Sequence, residues 1–486
     1  MENKTAALPE PKNVFKYFYD ICSIPHGSGN TKAISDYCVR FAEENNLRYI
    51  QDSFNNVIIF KDASAGCENA PTVIIQGHLD MVCEAEDGFA IDFEKDGLRV
   101  KTDKDFVYAE GTSLGGDDGI AVAYALAILS DTSLVHPRIE AVFTTDEETG
   151  MTGAANLDCT ALQGRIMLNI DSEEEGIFTV SCAGGAKITQ NLPLEYEKTD
   201  KSSVTVTVSG LTGGHSGTEI HHGRGSAIIL LARMLKTLRG EFKFGISDFC
   251  GGTKDNAIPT NASCRIFADS DVLNEITDRI SAIEQTFKAE FEKTDPNLKI
   301  AVSSAEKSDS AAFTDKTANS VLELILGNPC GVISMSRDID GLVQTSVNCG
   351  SVCTTDTEML IRLAPRSSSA SELEEIVGKI VSLCDSLGGS TDISGSYPPW
   401  EYNQNSEISR VCTEVYKELY GKDAVVTAIH AGLECGIFAG KMPDLDCISF
   451  GPDIFDIHTH RERLSISSAA RVWQFLVKTL EKLGNC

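Results

Sequence analysis

Residues 139–150 read Ile-Glu-Ala-Val-Phe-Thr-Thr-Asp-Glu-Glu-Thr-Gly. The first half, Ile139 to Thr144, is a short apolar, β-branched run of the kind that forms a strand buried on both faces. It gives way at once to three acids, Asp146, Glu147 and Glu148. In an open α/β sheet the carboxyl ends of the strands are where ligands collect, and charge there is the expected mark. The same design recurs on either side in the chain. Val73 to Gln76 runs into Gly77-His78-Leu79-Asp80, Ile166 to Ile170 closes on Asp171, and Cys447 to Phe450 precedes Asp456-Ile457-His458-Thr459-His460. Val57 to Phe60 is a further strand-like run. Gly119 to Ser130 is rich in Ala, Leu and Ile and long enough for a helix; Gly115-Gly116-Asp117-Asp118 stands just before it. Asn13 to Asn45 reads as helical, broken by a loop at residues 23–29. Such alternation predicts an α/β domain with a mixed, mostly parallel sheet and helices on both faces.

After about Gly185 the pattern changes. Ser203 to Val208 alternates Val and Thr, which suits a half-exposed strand. Helix-like segments at Ser226–Leu238, Val272–Phe291 and Ser371–Leu387 alternate with strand-like Leu298–Val302, Thr345–Asn348 and Glu358–Leu363. A Gly/Asn/Pro loop is expected at 251–259. This is the signature of an α+β domain of ferredoxin-like units. Residues 388–400, rich in Gly, Ser and Pro, read as a linker. The expected division is therefore one domain in two segments, 1–184 and 399–486, with 185–398 inserted between them as a second domain.

The chain has 486 residues, 71 acidic against 42 basic, and a formal net charge of −29. A surface this acidic repels phosphate backbones and anionic membranes, and no local basic patch offsets it, so neither nucleic acid nor membrane is an expected partner. The longest uninterrupted apolar run, Ile120 to Leu129, is far short of a bilayer span. Sixteen cysteines would suit a disulfide scaffold only in a short secreted chain. Here the start, Met1 to Asp20, has no apolar core of a signal peptide, no pair stands in C-x-x-C spacing, and several cysteines lie in apolar segments. The expectation is free thiols in the cytoplasm.

Each charged strand end is a weak signal by itself. His-x-Asp at 78–80 can place a carboxylate beside an imidazole, fixing its tautomer and basicity. Adjacent acids at 117–118 are costly to hold together without a cation, yet also resemble ordinary helix capping. Jointly, two imidazoles and several carboxylates at neighbouring strand ends suit zinc or manganese. There are too many for one tetrahedral ion with an open position, whereas two ions sharing a carboxylate would use them all.

With these residues assembled, the order Gly77-His78-Leu79-Asp80, Gly116-Asp117-Asp118-Gly119, Thr145-Asp146-Glu147-Glu148-Thr149-Gly150, Asp171 and His458 resembles the co-catalytic zinc peptidases of the aminoacylase and carboxypeptidase G superfamily. It is most similar to their aminoacyl-histidine dipeptidase (peptidase D, cytosolic non-specific dipeptidase) branch. Gly213-Gly214-His215-Ser216-Gly217, Asn256-Ala257-Ile258-Pro259, Arg366-Ser367-Ser368 and Ile429 to Gly436 carry the same resemblance. It implies that the domain of segments 1–184 and 399–486 is catalytic, that the inserted 185–398 is an α+β ferredoxin-like lid, and that Asp117 bridges two divalent ions, zinc first and cobalt or manganese as options. His78 and Asp171 would complete one site, Glu148 and His458 the other. Glu147 would be the general base acting on a hydroxide that bridges the ions, and Asp80 would orient His78. Asp118, where relatives often carry Asn, is not made a ligand. His460 rivals His458, but the Gly451-Pro452-Asp453-Ile454 lead-in favours His458. His215 would polarise the scissile carbonyl, Arg366 would hold the substrate's carboxylate, and Asn256 and Gly432 would line the substrate pocket. The implied activity is hydrolysis of dipeptides, Xaa-His or broader; the alternative on the same ions is N-acyl amino acid hydrolysis. The substrate partner is a short peptide, and the resemblance makes a homodimer plausible without requiring one.

Overall fold

The computed structural model describes residues 8–304, 306–307 and 310–484. Of the Met1–Asp20 stretch read above, residues 1–7 lie outside the described residues, as do the last two of the tail. The chain forms two compact units, one of residues 1–182, 402–428 and 433–486, the other of 183–401 and 429–432.

The first unit is built on a sheet in the order Arg48–Gln51, Val57–Lys61, Ile139–Thr144, Val73–His78, Ile166–Asn169, Asp446–Ser449, Ile177–Cys182, Val425–Ile429. Ile139–Thr144, Val73–His78, Ile166–Asn169 and Asp446–Ser449 run parallel; Arg48–Gln51 and Val57–Lys61 are antiparallel additions. The sheet is mixed, as expected, but it is parallel only across these four central strands, because Ile177–Cys182 pairs antiparallel with Asp446–Ser449 on the far side. Val73, Ile74, Ile75, Ile139, Ala141, Val142 and Phe143 are all essentially inaccessible, which is why these strands read as continuous apolar runs. Gly116–Ser130 is buried on every side and so shows no amphipathic stripe. It packs against Val73–His78 and against the helix Lys12–Cys22. Glu407–Tyr420 and Ile466–Gly484, both amphipathic, pack together over an aromatic cluster of Phe178, Tyr416, Phe450 and Phe475. Among the described residues, fourteen cysteines carry free thiols. Cys67 departs from the free-thiol expectation and is disulfide-bonded.

The second unit holds an antiparallel sheet ordered Lys299–Val302, Ser202–Ser209, Ala262–Ala268, Gly245–Gly252, Val343–Thr354, Glu358–Ser367, Gly184–Pro193, Ser390–Tyr397. Two strand-helix-strand-strand-helix-strand sets make it up, which is the ferredoxin-like pattern twice over. The inner set uses Ser202–Ser209, the helix Ala227–Glu241, Gly245–Gly252, Ala262–Ala268, the helix Ser270–Glu290 and Lys299–Val302. The outer set uses Gly184–Pro193, the helix Asp315–Gly327, Val343–Thr354, Glu358–Ser367, the helix Ala370–Ser386 and Ser390–Tyr397. They join where Gly251 pairs with Val352 and Gly252 with Ser351. One apolar core runs under both sets. On Ser202–Ser209 the valines 204, 206 and 208 are buried while Thr205 and Thr207 are half-buried, as the Val/Thr alternation requires.

Two sequence expectations change here. Residues 388–400 are not a linker, because Ser390–Tyr397 forms an edge strand on Gly184–Pro193. An edge strand with mostly exposed side chains has no need of apolar residues, so its composition hides it. The tail is also not wholly a part of the first unit. Residues 429–432 join the second, where the Ala183 N–H donates to the carbonyls of Ile429 and Ala431 at 3.2 and 3.0 Å.

Candidate metal and active site

In the first unit, Val73–His78, Gly116–Ser130, Ile139–Thr144 and the segment after Ile166–Asn169 bring their polar ends together. His78 closes its strand fully buried. Its Nδ1 lies 2.9 Å from the Asp80 backbone carbonyl and 3.6 Å from the Asp80 carboxylate. The carbonyl is the nearer acceptor for the ring N–H, with the Asp80 carboxylate beside it, and this leaves Nε2 facing Asp117 and Asp171. Nε2 is 3.1 Å from Asp117 Oδ1 and 3.7 Å from Asp171 Oδ1. The other oxygen of Asp117, Oδ2, lies 3.2 Å from His458 Nε2, and His458 Nε2 lies 2.9 Å from Glu148 Oε1. One carboxylate thus faces an imidazole with each oxygen.

Among the described residues, donor atoms fall into three close groups: His78, Asp118 and Asp171; His78, Glu147 and Glu148; and Asp117, Glu148 and His458. Asp118, set aside in the sequence reading, belongs to the first of these. Its Oδ2 accepts the His78 backbone N–H at 3.2 Å. That approach depends on Gly77, since a Cβ there would stand 2.5 Å from Asp118 Oδ2. His460 belongs to none of the groups.

Electrostatics in this nest are those of crowded acids. Burial pushes Asp171 well above the usual carboxylate range, and neighbouring Asp118 adds to it. Asp118 is raised likewise, first by burial. Burial raises Glu147 to about 8, with Glu434, Glu148 and Asp117 contributing. Asp117 and Asp80 are the exceptions: although burial opposes their charge, His458 and His78 hold Asp117 far below the ordinary value, and His78, Ser28 and the Glu147 N–H hold Asp80 below it. Ser28 Oγ donates to Asp80 Oδ2 at 2.8 Å, and the N–H groups of Glu147 and Glu148 donate to its two oxygens at 3.1 and 3.4 Å. An N/O donor set of this composition fits a borderline divalent ion such as zinc. The repulsion among buried carboxylates is what added positive charge relieves.

Two residues of the first unit escaped the sequence reading. Glu434, fully buried, accepts from Gln76 Nε2 at 2.5 Å and Thr144 Oγ1 at 2.6 Å. It tethers the two central strands just before His78 and the acidic run; the quoted stretch Ile429 to Gly436 contained it without revealing that role. Glu462 is buried against the N-terminus of Gly116–Ser130. Its carboxylate accepts N–H bonds from Leu114, Gly115, Gly116 and Asp117 at 2.8, 3.2, 2.7 and 3.4 Å. A helix N-terminus favours an anion, but no local sequence signal reveals a cap that comes from so far along the chain.

The second unit carries the remaining sequence-predicted residues. His215 Nδ1 accepts N–H bonds from Gly217 and Thr218 at 3.3 and 3.2 Å. That places the ring proton on Nε2, as an outward donor. Burial, then the charge of Arg366, lowers the His215 pKa and keeps the ring neutral. Asn256 lies on a loop tied to this one, because its carbonyl accepts the Ser216 N–H at 2.9 Å. Asn348 of the outer set clamps the same loop, donating to the carbonyls of Asp255 and Ala257 at 2.7 and 2.9 Å. Gly432 sits in the short segment 429–432, two residues after His430. His430 Nε2 is 2.7 Å from Ser346 Oγ, and burial, with Arg366 and His221 adding, lowers the ring to about 4. Arg366 lines a cavity of about 130 Å³ with Lys187, Asp255, Asn256, Pro365 and Tyr397.

A buried strand sheet with imidazoles and acids at one edge, joined to a ferredoxin-like unit, defines a metallopeptidase type of architecture. The chain belongs to peptidase family M20/M25/M40, whose model matches residues 74–482. It is 37% identical to the cytosol non-specific dipeptidase of Escherichia coli (strain K12) over 475 residues, 97% of this chain and 98% of that protein. The crystal structure of the aminoacylhistidine dipeptidase from Vibrio alginolyticus superposes with a TM-score of 0.92 at 33% identity, covering 98% of this chain and 97% of that one. A tripeptidase from Staphylococcus aureus shares the fold, at a TM-score of 0.56 and 15% identity over 99% of this chain and 100% of that one. Among the described residues no helix is long and apolar enough to cross a membrane.

Proposed function

We propose that this protein hydrolyses dipeptides in the cytoplasm with two divalent metal ions, most simply zinc. The observation that carries the reading is Asp117, whose two oxygens face His78 and His458 separately. Asp171 stands beside the first imidazole and Glu148 beside the second. His78, Asp117 and Asp171 would hold one ion, and Glu148, Asp117 and His458 the other. When bound, the ions would lower the pKa of a water and polarise the scissile carbonyl.

The chain's own residues do the rest. Glu147 takes a proton from the attacking water and returns it to the leaving amine. Asp80 does not reach the reacting atoms in this scheme. Its carboxylate pins the backbone of Glu147 and Glu148 while its carbonyl fixes the His78 ring. His215, neutral and with its proton on Nε2, donates to the carbonyl oxygen as negative charge develops there. Arg366 holds the substrate's free carboxylate, to which a guanidinium fork is suited, and Asn256 and Gly432 line the substrate's pocket.

The test is a panel of dipeptides, including Xaa-His, with N-acylated amino acids and longer peptides alongside, assayed before and after chelation. Turnover should be confined to dipeptides, vanish with chelator, and return with zinc, cobalt or manganese. Preferential cleavage of N-acyl amino acids would overturn the dipeptidase reading. The choice of terminal ligand is checked by metal analysis after dialysis. His458→Ala should retain about one ion fewer than the parent, whereas His460→Ala should retain both; the reverse pattern would reassign the ligand.

A further inference from the structure

Arg366 has a partner that the sequence reading did not foresee. In the second unit, one row of directly paired residues crosses four strands. Ser346 pairs with Arg366, Arg366 with Gly185, and Gly185 with Tyr397. Residues paired in this way project from the same face of a sheet. Gly185 contributes no side chain, and the Tyr397 ring occupies that place. A Cβ at 185 would stand 2.8 Å from the phenol oxygen and 3.0 Å from Cζ. The register between Gly184–Pro193 and Ser390–Tyr397 also shifts between Ser394 and Tyr397, the kind of irregularity that re-aims a side chain beside a functional site. Tyr397 thereby reaches across the intervening strand, and its oxygen accepts a hydrogen bond from Arg366 Nη1 at 2.9 Å.

Holding Nη1 stops the guanidinium from rotating and leaves its other edge, Nε with Nη2, for a ligand. Arg366 Nε is buried and has no hydrogen-bond partner among the described residues. That edge offers two parallel N–H groups, the geometry that engages a carboxylate bidentately. The choice of a phenol matters as well. An Asp or Glu in its place would neutralise the arginine, whereas a tyrosine orients it and leaves its charge intact. The acid that lines the cavity, Asp255, is 3.8 Å from Lys187.

We propose that Tyr397 is a positioning residue that aims the Nε/Nη2 edge of Arg366 at the substrate's C-terminal carboxylate, and so sets the preference for a free C-terminus. This rests on the carboxylate role given to Arg366 above. The experiment compares alanyl-alanine with its C-terminal amide in the metal-loaded enzyme. Tyr397→Phe removes one hydroxyl and should raise KM for the free dipeptide about 3–10-fold, part of what outright loss of a charged hydrogen bond costs. Its kcat, its melting temperature and its KM for the amide should stay near those of the parent. Gly185→Ala keeps the phenol but displaces the ring and also crowds the Pro365 carbonyl at 3.1 Å, so it should give the same split in KM with some loss of melting temperature. In Tyr397→Phe, a structural role alone would instead change both substrates together or lower the melting temperature. Arg366→Met separates the two claims. If it raises KM for the free dipeptide selectively while Tyr397→Phe and Gly185→Ala do not, the role of Tyr397 is overturned and that of Arg366 stands. If Arg366→Met affects both substrates alike, both assignments fall.

Discussion

Glu147→Gln is expected to lower kcat by about 10²–10⁴-fold, the range for removing a general acid–base, while the metal content stays that of the parent. Glutamine keeps the size and one oxygen of the side chain, so packing is undisturbed. The backbone around it is held independently, by the bonds from the Glu147 and Glu148 N–H groups to Asp80. The ligands assigned to the ions, His78, Asp117, Glu148, Asp171 and His458, remain in place. What is lost is the group that accepts a proton from water. Two measurements check this: steady-state kinetics on a dipeptide and metal analysis of the dialysed variant. Because Glu147 also groups with His78 and Glu148, loss of an ion on substitution would show it to be a ligand. The base would then have to be sought elsewhere.

The largest effect on stability is expected from Glu462. Two of its four backbone bonds, to Leu114 and Gly116, are short, and all four go to a buried carboxylate. Hydrogen bonds to a charged group are worth about 1.5–3 kcal/mol each. Glu462→Ala should therefore cost about 3–6 kcal/mol, a large part of the stability of a typical fold. It should weaken metal retention as well, because the N–H of Asp117 is among the groups left unpaired. Glu462→Gln, which keeps one acceptor oxygen, should fall between Ala and the parent. Denaturant unfolding and metal titration read the two effects separately. A Glu462→Ala variant as stable as the parent would mean that water replaces the carboxylate without penalty.

Much of this fold was legible because buried parallel strands have no polar face. Val73 to Gln76, Ile139 to Thr144 and Ile166 to Ile170 stood out as short apolar, β-branched runs, and the chemistry-bearing residues followed at their ends. The inner ferredoxin-like set was readable where Val and Thr alternate. Ser390–Tyr397 was not, since an edge strand facing water carries no apolar signature. The same blindness extended to Tyr397, whose importance depends on a glycine two hundred residues earlier that leaves room for its ring. Asp118 was set aside because it stands where relatives often carry Asn, but only the close approach over Gly77 shows where its carboxylate goes. Glu434 and Glu462 act on side chains and backbone far away in sequence, and nothing local to them encodes those partners.

The doubled ferredoxin-like unit also bears on the order of assembly. All strands of the inner set, from Ser202–Ser209 to Lys299–Val302, emerge from the ribosome before the outer set can be completed. The inner set therefore has its whole sequence available first, with a bare flank at Gly251 and Gly252, and during synthesis that flank is a ready template for any strand. The next long strand of the same sheet to appear is Val343–Thr354, which pairs there. A nascent chain halted before residue 343 would keep the flank open to a sister molecule, whereas a finished chain occupies it from within.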